Sequence, residues 1–226
     1  MPLTVISFAQ YLIYDSLQKW RNEDHNASKF VKAVKGEAVK GYANVPVRGE
    51  NRCLDNSNRA EAAVWFGEMA GDHLLKVVRL NPKVSFGLVP IPSSDAVRGT
   101  TFNRFPAREL ATALAKELAQ LGIGNVKVAD VLRWTQKMTS ARKGGPREAA
   151  LLYPNLTLIG KAAGFNYHLL IDDVLTSGGH LQACAAVLRK NGAEVPFAIC
   201  AGRTRYVAED DPFAPSKEEL PDFVPP

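Results

Sequence analysis

In the segment HLLIDDVLTSGGH, from His168 to His180, paired carboxylates (Asp172, Asp173) are followed by paired hydroxyl-side residues (Thr176, Ser177) and paired glycines (Gly178, Gly179). Adjacent carboxylates accept hydrogen bonds from a ligand's hydroxyls or face a cation that the ligand carries. The hydroxyls and glycines suit a different group. At a helix start, unpartnered backbone N–H groups point outward and the helix dipole adds positive potential, so a phosphate fits. Gly178 and Gly179 let the backbone approach closely or take a positive φ. A ligand with hydroxyls beside its phosphate, such as a sugar phosphate, meets both halves of the pattern.

These groups act together only if flanking elements hold them. Leu169 to Ile171 is an apolar run of the kind buried on both faces of a parallel sheet. Past Gly179, the residues Leu181, Cys184, Ala185 and Leu188 share one helical face. The turn from Thr176 to His180 is therefore expected between the carboxyl end of a strand and a helix N-terminus. A P-loop would need a Gly-rich loop ending in Gly-Lys-Ser/Thr, and Gly160-Lys161-Ala162 lacks the hydroxyl and the upstream glycine. Gly122-Ile123-Gly124 lacks the third glycine of a dinucleotide fold and reads as a turn after a helix. An ordinary strand, turn and helix would explain the glycines but not their coincidence with paired acids and hydroxyls.

The segment closely resembles the phosphoribosyl pyrophosphate (PRPP) signature of the type I phosphoribosyltransferases. The resemblance implies that Asp172 and Asp173 face the ribose 2- and 3-hydroxyls, while Thr176, Ser177, Gly178, Gly179 and His180 hold the 5-phosphate. The family usually ends this loop with Thr or Ser, and this chain has His180. Backbone contacts would survive that change, but a hydroxyl contact would not. Two readings of His180 follow: a ring turned to solvent with only its N–H in use, or an imidazolium that adds charge at lower pH.

The resemblance extends to the order of elements. Phe86 to Ile91 reads as a buried strand, followed by Pro92-Ser93-Ser94, where the family carries its pyrophosphate loop. Ser93, Ser94 and Arg98 are the expected pyrophosphate ligands. The string Val89-Pro90-Ile91-Pro92, with Arg98-Gly99 and Phe102-Asn103 after it, is similar to the competence protein F branch. Thr100 and Thr101 interrupt that branch's Arg-Gly-Phe-Asn, and its four-cysteine zinc element is missing. Between Arg133 and Arg147 lie several cations and no acid. In the family a flexible basic loop closes over PRPP here, which implies a role for Lys137, Arg142, Lys143 and Arg147. The implied reaction moves phosphoribose from PRPP to a small, nitrogenous acceptor and releases pyrophosphate. Mg²⁺ would be carried by PRPP, with no metal held directly by the protein. A non-catalytic PRPP or nucleotide sensor, and a competence-related role in DNA uptake, are the alternatives.

Composition sets the frame. A chain of 226 residues can bury a full core as an α/β domain with elaborations. Its net charge of +5 suits a polyanionic ligand and is too small to argue for nucleic acid. Cys53, Cys184 and Cys200 are widely spaced and odd in number, which argues against a disulfide framework. No stretch is apolar enough to span a bilayer and no signal-peptide pattern opens the chain, so a cytoplasmic protein is expected. A homodimer is a common assembly in the superfamily.

The fold expected is a doubly wound, mainly parallel sheet flanked by helices, as in type I phosphoribosyltransferases. Residues 1–84 are expected to form a mostly helical hood, 85–208 the core, and 209–226 an acidic, Pro-rich tail that is disordered or an extended cover. Within the hood, helices are expected over Phe8–Val34, with Leu12, Ile13, Leu17 and Trp20 in step, and over Arg59–His73. Gly36–Asn58 reads as loop with a short strand. Pro106 opens a helix, Val126–Val128 and Glu194–Cys200 read as strands, and Tyr206 and Phe213 are available either to stack on an acceptor ring or to pack on the domain.

Overall fold

The computed structural model describes residues 1–13, 19–100, 105–140, 143–160 and 164–225. Leu17, Phe102, Asn103, Arg142, Lys161 and Ala162 lie outside them. The chain opens with β1 (Leu3–Ser7) and β2 (Gln10–Leu12), then α1 (Asn22–Val34). A hairpin of β3 (Ala43–Val47) and β4 (Glu50–Leu54) leads to α2 (Glu61–His73). Next come β5 (Phe86–Pro90), α3 (Pro106–Gln120) and β6 (Val126–Val128). An excursion of β7 (Leu132–Trp134), α4 (Ala149–Leu152) and β8 (Leu156–Leu158) precedes β9 (Tyr167–Leu175), α5 (Gly179–Lys190), β10 (Phe197–Arg205) and β11 (Ser216–Leu220).

The central sheet has seven strands in the order β11-β1-β10-β9-β5-β6, with β2 also on β10. All its pairings are parallel except β1 with β11. Two apolar clusters cover its faces. Phe30 of α1, Phe66 of α2 and Leu110 and Leu114 of α3 fill one, while Leu152 of α4 and Leu181, Cys184 and Leu188 of α5 fill the other. This is the three-layer solution for a parallel sheet whose strands are apolar on both sides. α3 follows its expected pattern closely: Pro106 opens it, and Leu110, Ala111, Leu114 and Leu118 are buried.

The N-terminus corrects the expectation of a helix from Phe8. β1 lies inside the sheet, where Leu3, Val5 and Ile6 are almost fully buried, and β2 continues along β10 in the same register. Helical spacing at Leu12 and Ile13 was a coincidence of short apolar runs, which periodicity alone does not resolve. Among the described residues, the first helix starts at Asn22. The Gly36–Asn58 region holds a full hairpin, turned by Arg48 and Gly49 at φ 53° and 81°, the left-handed pair of a tight hairpin turn. The tail is an ordered edge strand, antiparallel to β1 from Leu3↔Leu220 to Ser7↔Ser216. The sheet thus draws strands from the hood, core and tail segments alike. Among the described residues, no helix is long and apolar enough to cross a membrane.

Candidate functional site

The strand order reverses direction at β5. β6 lies on one side of it, whereas β9, then β10, lie on the other. Such a switch point leaves a crevice beyond the carboxyl ends of the two diverging strands. Here those ends are Ile91–Ser94 after β5 and Asp172–His180 at and after β9. A pocket of about 750 Å³ opens there, lined by Ser93 and Ser94, both aspartates, the Thr176–Gly178 turn and His180. Trp134 fixes the first rim by donating its indole N–H to the Ser93 carbonyl at 2.9 Å.

The acids stand within β9 rather than after it. Neighbours on a strand point to opposite faces, and Leu169 and Ile171 pack in one apolar cluster while Leu170 packs in the other. Val174 then joins the cluster of Ile171, and Leu175 that of Leu170. The alternation therefore slips only after Asp173, so the two acids still point to opposite faces, and at this end of the strand both carboxylates line the same pocket. Asp172 accepts the Asp173 backbone N–H at 2.8 Å. Burial pushes Asp172 well above the usual carboxylate range, and the charge of Asp173 pushes it further. Burial also raises Asp173, against the pull of the Lys35 ammonium. Both carboxyls therefore hold their protons to a higher pH than an ordinary carboxylate, Asp172 the more strongly raised.

The two acids look toward different faces of the sheet. Burial, and then the charge of Asp172, raise the thiols of Cys184 on α5 and Cys200 on β10. Asp172 is the cross-strand partner of Cys200, which packs in the α5-side cluster, and its strand neighbour Asp173 points to the other face, while Lys35, just after α1, acts on both acids. The acid pair is thus the hinge between an α5 side and an α1 side of the pocket.

On the α5 side the turn is wedged into place. Gly178 has φ 84°, and a Cβ there would meet Leu220 of β11 at 2.5 Å. A Cβ on Gly179 would meet the Arg147 carbonyl oxygen at 1.9 Å. Only glycine fits either position. The Ser177 hydroxyl donates to that same Arg147 carbonyl at 3.2 Å. Arg203 locks the turn from the far side, giving one guanidinium N–H to the Thr176 carbonyl at 2.6 Å and gripping Glu218 of β11 at 2.6 and 3.0 Å. α5 starts at Gly179, so its first N–H groups face the pocket end of the helix dipole.

His180 departs from both expectations. Its ring packs edge-on against Trp134, with centroids 5.9 Å apart at 85°, instead of turning to solvent. Burial, and next the Arg147 charge, hold its pKa below the usual histidine value, so the ring is neutral near pH 7.

The basic segment contributes less than expected. Arg147 lines the pocket. Lys137 is exposed and paired with Asp95 at 2.9 Å, Lys143 is exposed outside the lining, and Arg142 lies outside the described residues. Arg133 is buried in β7, held by Asp130 at 2.5 Å; placement in a strand, not a loop, removes it from the mobile cations. In place of those cations, Met138, Thr139 and Ser140 form the wall. Arg98 is exposed and outside the pocket lining. Its backbone is drawn away, the N–H donating to the Trp134 carbonyl at 2.8 Å. Tyr206 is 75 % exposed, and Phe213 packs on Phe30 at 6.0 Å, so neither ring lines the pocket.

Sequence reasoning pointed to the N-terminal region as a hood but picked out none of its pocket residues. Tyr11 of β2, Lys32 of α1 and Lys35 just after it line the pocket, and Lys35 Nζ stands 5.6 Å from the Tyr11 ring centre. Far apart in the chain, they carry no local signature. Among the described residues, no group of three or more His, Cys, Asp or Glu is assembled to hold a metal ion. The carboxylate oxygens of Asp172 and Asp173 suit a hard cation that a ligand's own oxygens already hold.

The pocket therefore offers hydrogen-bond acceptors for hydroxyls at its centre, backbone donors for an anion on its α5 side, and the charged side chains Lys32, Lys35 and Glu37 on its α1 side. No protein-family model matches the chain, and no curated protein matches it significantly.

Proposed function

We propose that the protein is a phosphoribosyltransferase that moves phosphoribose from PRPP to a nitrogenous acceptor, with a type I phosphoribosyltransferase fold. The observation that carries this is the convergence of three groups in one 750 Å³ pocket: the acid pair, the wedged turn before α5, and Ser93–Ser94 after β5. Its volume lies within the range of small-molecule sites.

The turn from Thr176 to His180 binds the 5-phosphate through backbone N–H groups and so positions C1 with remote binding energy. Asp172 and Asp173 accept hydrogen bonds from the ribose hydroxyls. As the C1–O bond to pyrophosphate stretches, the negative charge of the ionised pair, Asp173 the less raised of the two, stabilises the cationic character growing on the ribose. That bond breaks with its electron pair on pyrophosphate, the acceptor nitrogen's pair forms the C1–N bond, and the N–H proton passes to the departing pyrophosphate. Ser93, Ser94 and Ser140 supply hydroxyl donors along that wall, and Arg147 supplies positive charge. Mg²⁺ entering with PRPP would add neutralising charge for pyrophosphate.

Calorimetric titration of PRPP, with and without Mg²⁺, tests the reading against the Asp172→Asn/Asp173→Asn double variant. Binding that needs Mg²⁺ and vanishes in the variant supports it; absence of binding to folded wild type rejects it. A non-catalytic PRPP sensor is favoured by the position of Arg98 outside the pocket and by His180 at the loop end. PRPP binding with no pyrophosphate release toward any acceptor would select that second reading.

A further inference from the structure

We propose that Trp134 and His180 are a positioning pair that couples the two anion loops of the pocket. An anion held at Ser93–Ser94 then tightens the hold of the Thr176–His180 turn on a phosphate, and the reverse. This deepens the phosphoribosyltransferase reading and rests on it for the identity of the two anions, pyrophosphate and the 5-phosphate. The excursion from β7 to α4 carries the argument, because it holds both loops. At its start it pairs with the loop after β5. The Trp134 backbone N–H donates to the Ala96 carbonyl at 2.9 Å, and the Trp134 carbonyl accepts the Arg98 N–H at 2.8 Å. The indole N–H donates to the Ser93 carbonyl at 2.9 Å, and the Met138 N–H to the Ser94 carbonyl at 3.0 Å. At its end, the Arg147 carbonyl accepts the Ser177 hydroxyl at 3.2 Å and lies against Gly179.

The two rings join these contacts directly. Trp134 is 1 % exposed, so its indole has no free space to yield into, and a displacement of Ser93 carries it along. The indole meets the His180 ring edge-on at 5.9 Å, within the range of favourable aromatic pairs. His180 is the second residue of α5, so its backbone belongs to the turn that presents donors to the pocket. Movement of Ser93 onto an anion therefore reaches those donors through one ring pair. A threonine at 180 would offer a hydroxyl to the phosphate but no ring to the indole. The coupling gives the pair a role in turnover. PRPP carries both anions in one molecule, and transfer separates them. By reciprocity, departure of pyrophosphate loosens the hold on the 5-phosphate and favours release of the ribosylated product.

Ribose 5-phosphate is titrated calorimetrically with and without saturating Mg²⁺-pyrophosphate. In wild type, pyrophosphate is expected to tighten it about fivefold, and ribose 5-phosphate to tighten pyrophosphate by the same factor. His180→Thr and Trp134→Phe should each bring that ratio to about one, and the double variant should lose nothing further. His180→Phe, which keeps a ring against the indole, should restore most of it. A wild-type ratio of one or below overturns the proposal, as does a ratio unchanged in both single variants or failure of either anion to bind. PRPP binding with a ratio of one leaves the transferase reading standing without the coupling. Absence of PRPP binding beside a fivefold ratio lost in both variants rejects that reading and supports the coupling.

Discussion

The α5 side of the pocket is backbone wedged against other parts of the chain, whereas the α1 side is long side chains standing on a helix end. On the first, Gly178 lies against Leu220, Gly179 against the Arg147 carbonyl, and Arg203 ties the Thr176 carbonyl to β11. On the second, Lys32 and Lys35 line the pocket on long side chains, Lys35 over the Tyr11 ring. Backbone donors set by packing give one geometry and suit a group that never changes, such as a phosphate. Ammonium groups on flexible stems tolerate ligands of varied outline. The difference teaches that the invariant and variable parts of a ligand are met by different kinds of structure.

The sharpest break in this comparison comes from the acids between the two sides. Asp172→Asn and Asp173→Asn should each lower turnover by about 10²- to 10³-fold while the far-ultraviolet spectrum stays that of wild type. Wild-type turnover in both would detach the acids from the chemistry. Next in size is Gly179→Ala. A Cβ 1.9 Å from the Arg147 oxygen cannot be absorbed without moving backbone, so affinity for ribose 5-phosphate should fall by about tenfold or more, at a stability cost of about 1–3 kcal/mol. An unchanged dissociation constant would mean that the turn is not rigid. Arg203→Met comes third, with an expected several-fold loss in the same titration, partly recovered in Arg203→Lys. Lys35→Met should leave that titration unmoved, and a matching loss there would erase the distinction between the two sides.

The smallest effect is thermal. A carboxyl whose folded pKa lies above its unfolded value of 3.8 costs the folded state stability as pH rises through the interval. Asp172→Asn removes that titration. The variant's Tm should therefore gain on wild type by about 2–4 °C per kcal/mol as pH climbs from about 4 toward neutrality. A Tm difference that stays constant across that range would place the Asp172 pKa near its ordinary value.

How much of this was legible in the sequence differs between the same two sides. The turn before α5 is continuous in the chain, and its acids, hydroxyls and glycines each have a local physical reason, so HLLIDDVLTSGGH pointed to the pocket directly. α2, α3, α5, β5, β6 and the core of β9 carried periodicity strong enough to read. The α1 side is assembled from residues whose only link is the sheet. β1 and β2 looked helical because short apolar runs are ambiguous until a partner strand is known, and their partner, β10, lies nearly the whole chain away. Arg98, Arg133 and Lys137 stand outside the pocket lining for another reason. Their charge was visible, but the Trp134 carbonyl, Asp95 and Asp130 that draw them elsewhere are set by tertiary contacts.

β11 has a further consequence for handling the protein. Its sequence, SKEEL, lays Lys217, Glu218 and Glu219 along the rim of the sheet. Beneath it lies β1, whose Leu3, Val5 and Ile6 would otherwise belong to an open edge with unpaired N–H and C=O groups, a template for other chains to join. The strand thus covers an edge open to self-association as well as bracing the turn before α5 through Glu218 and Arg203. Removing residues 216–226 would take away both at once, leaving β1 an open edge and the turn without its brace.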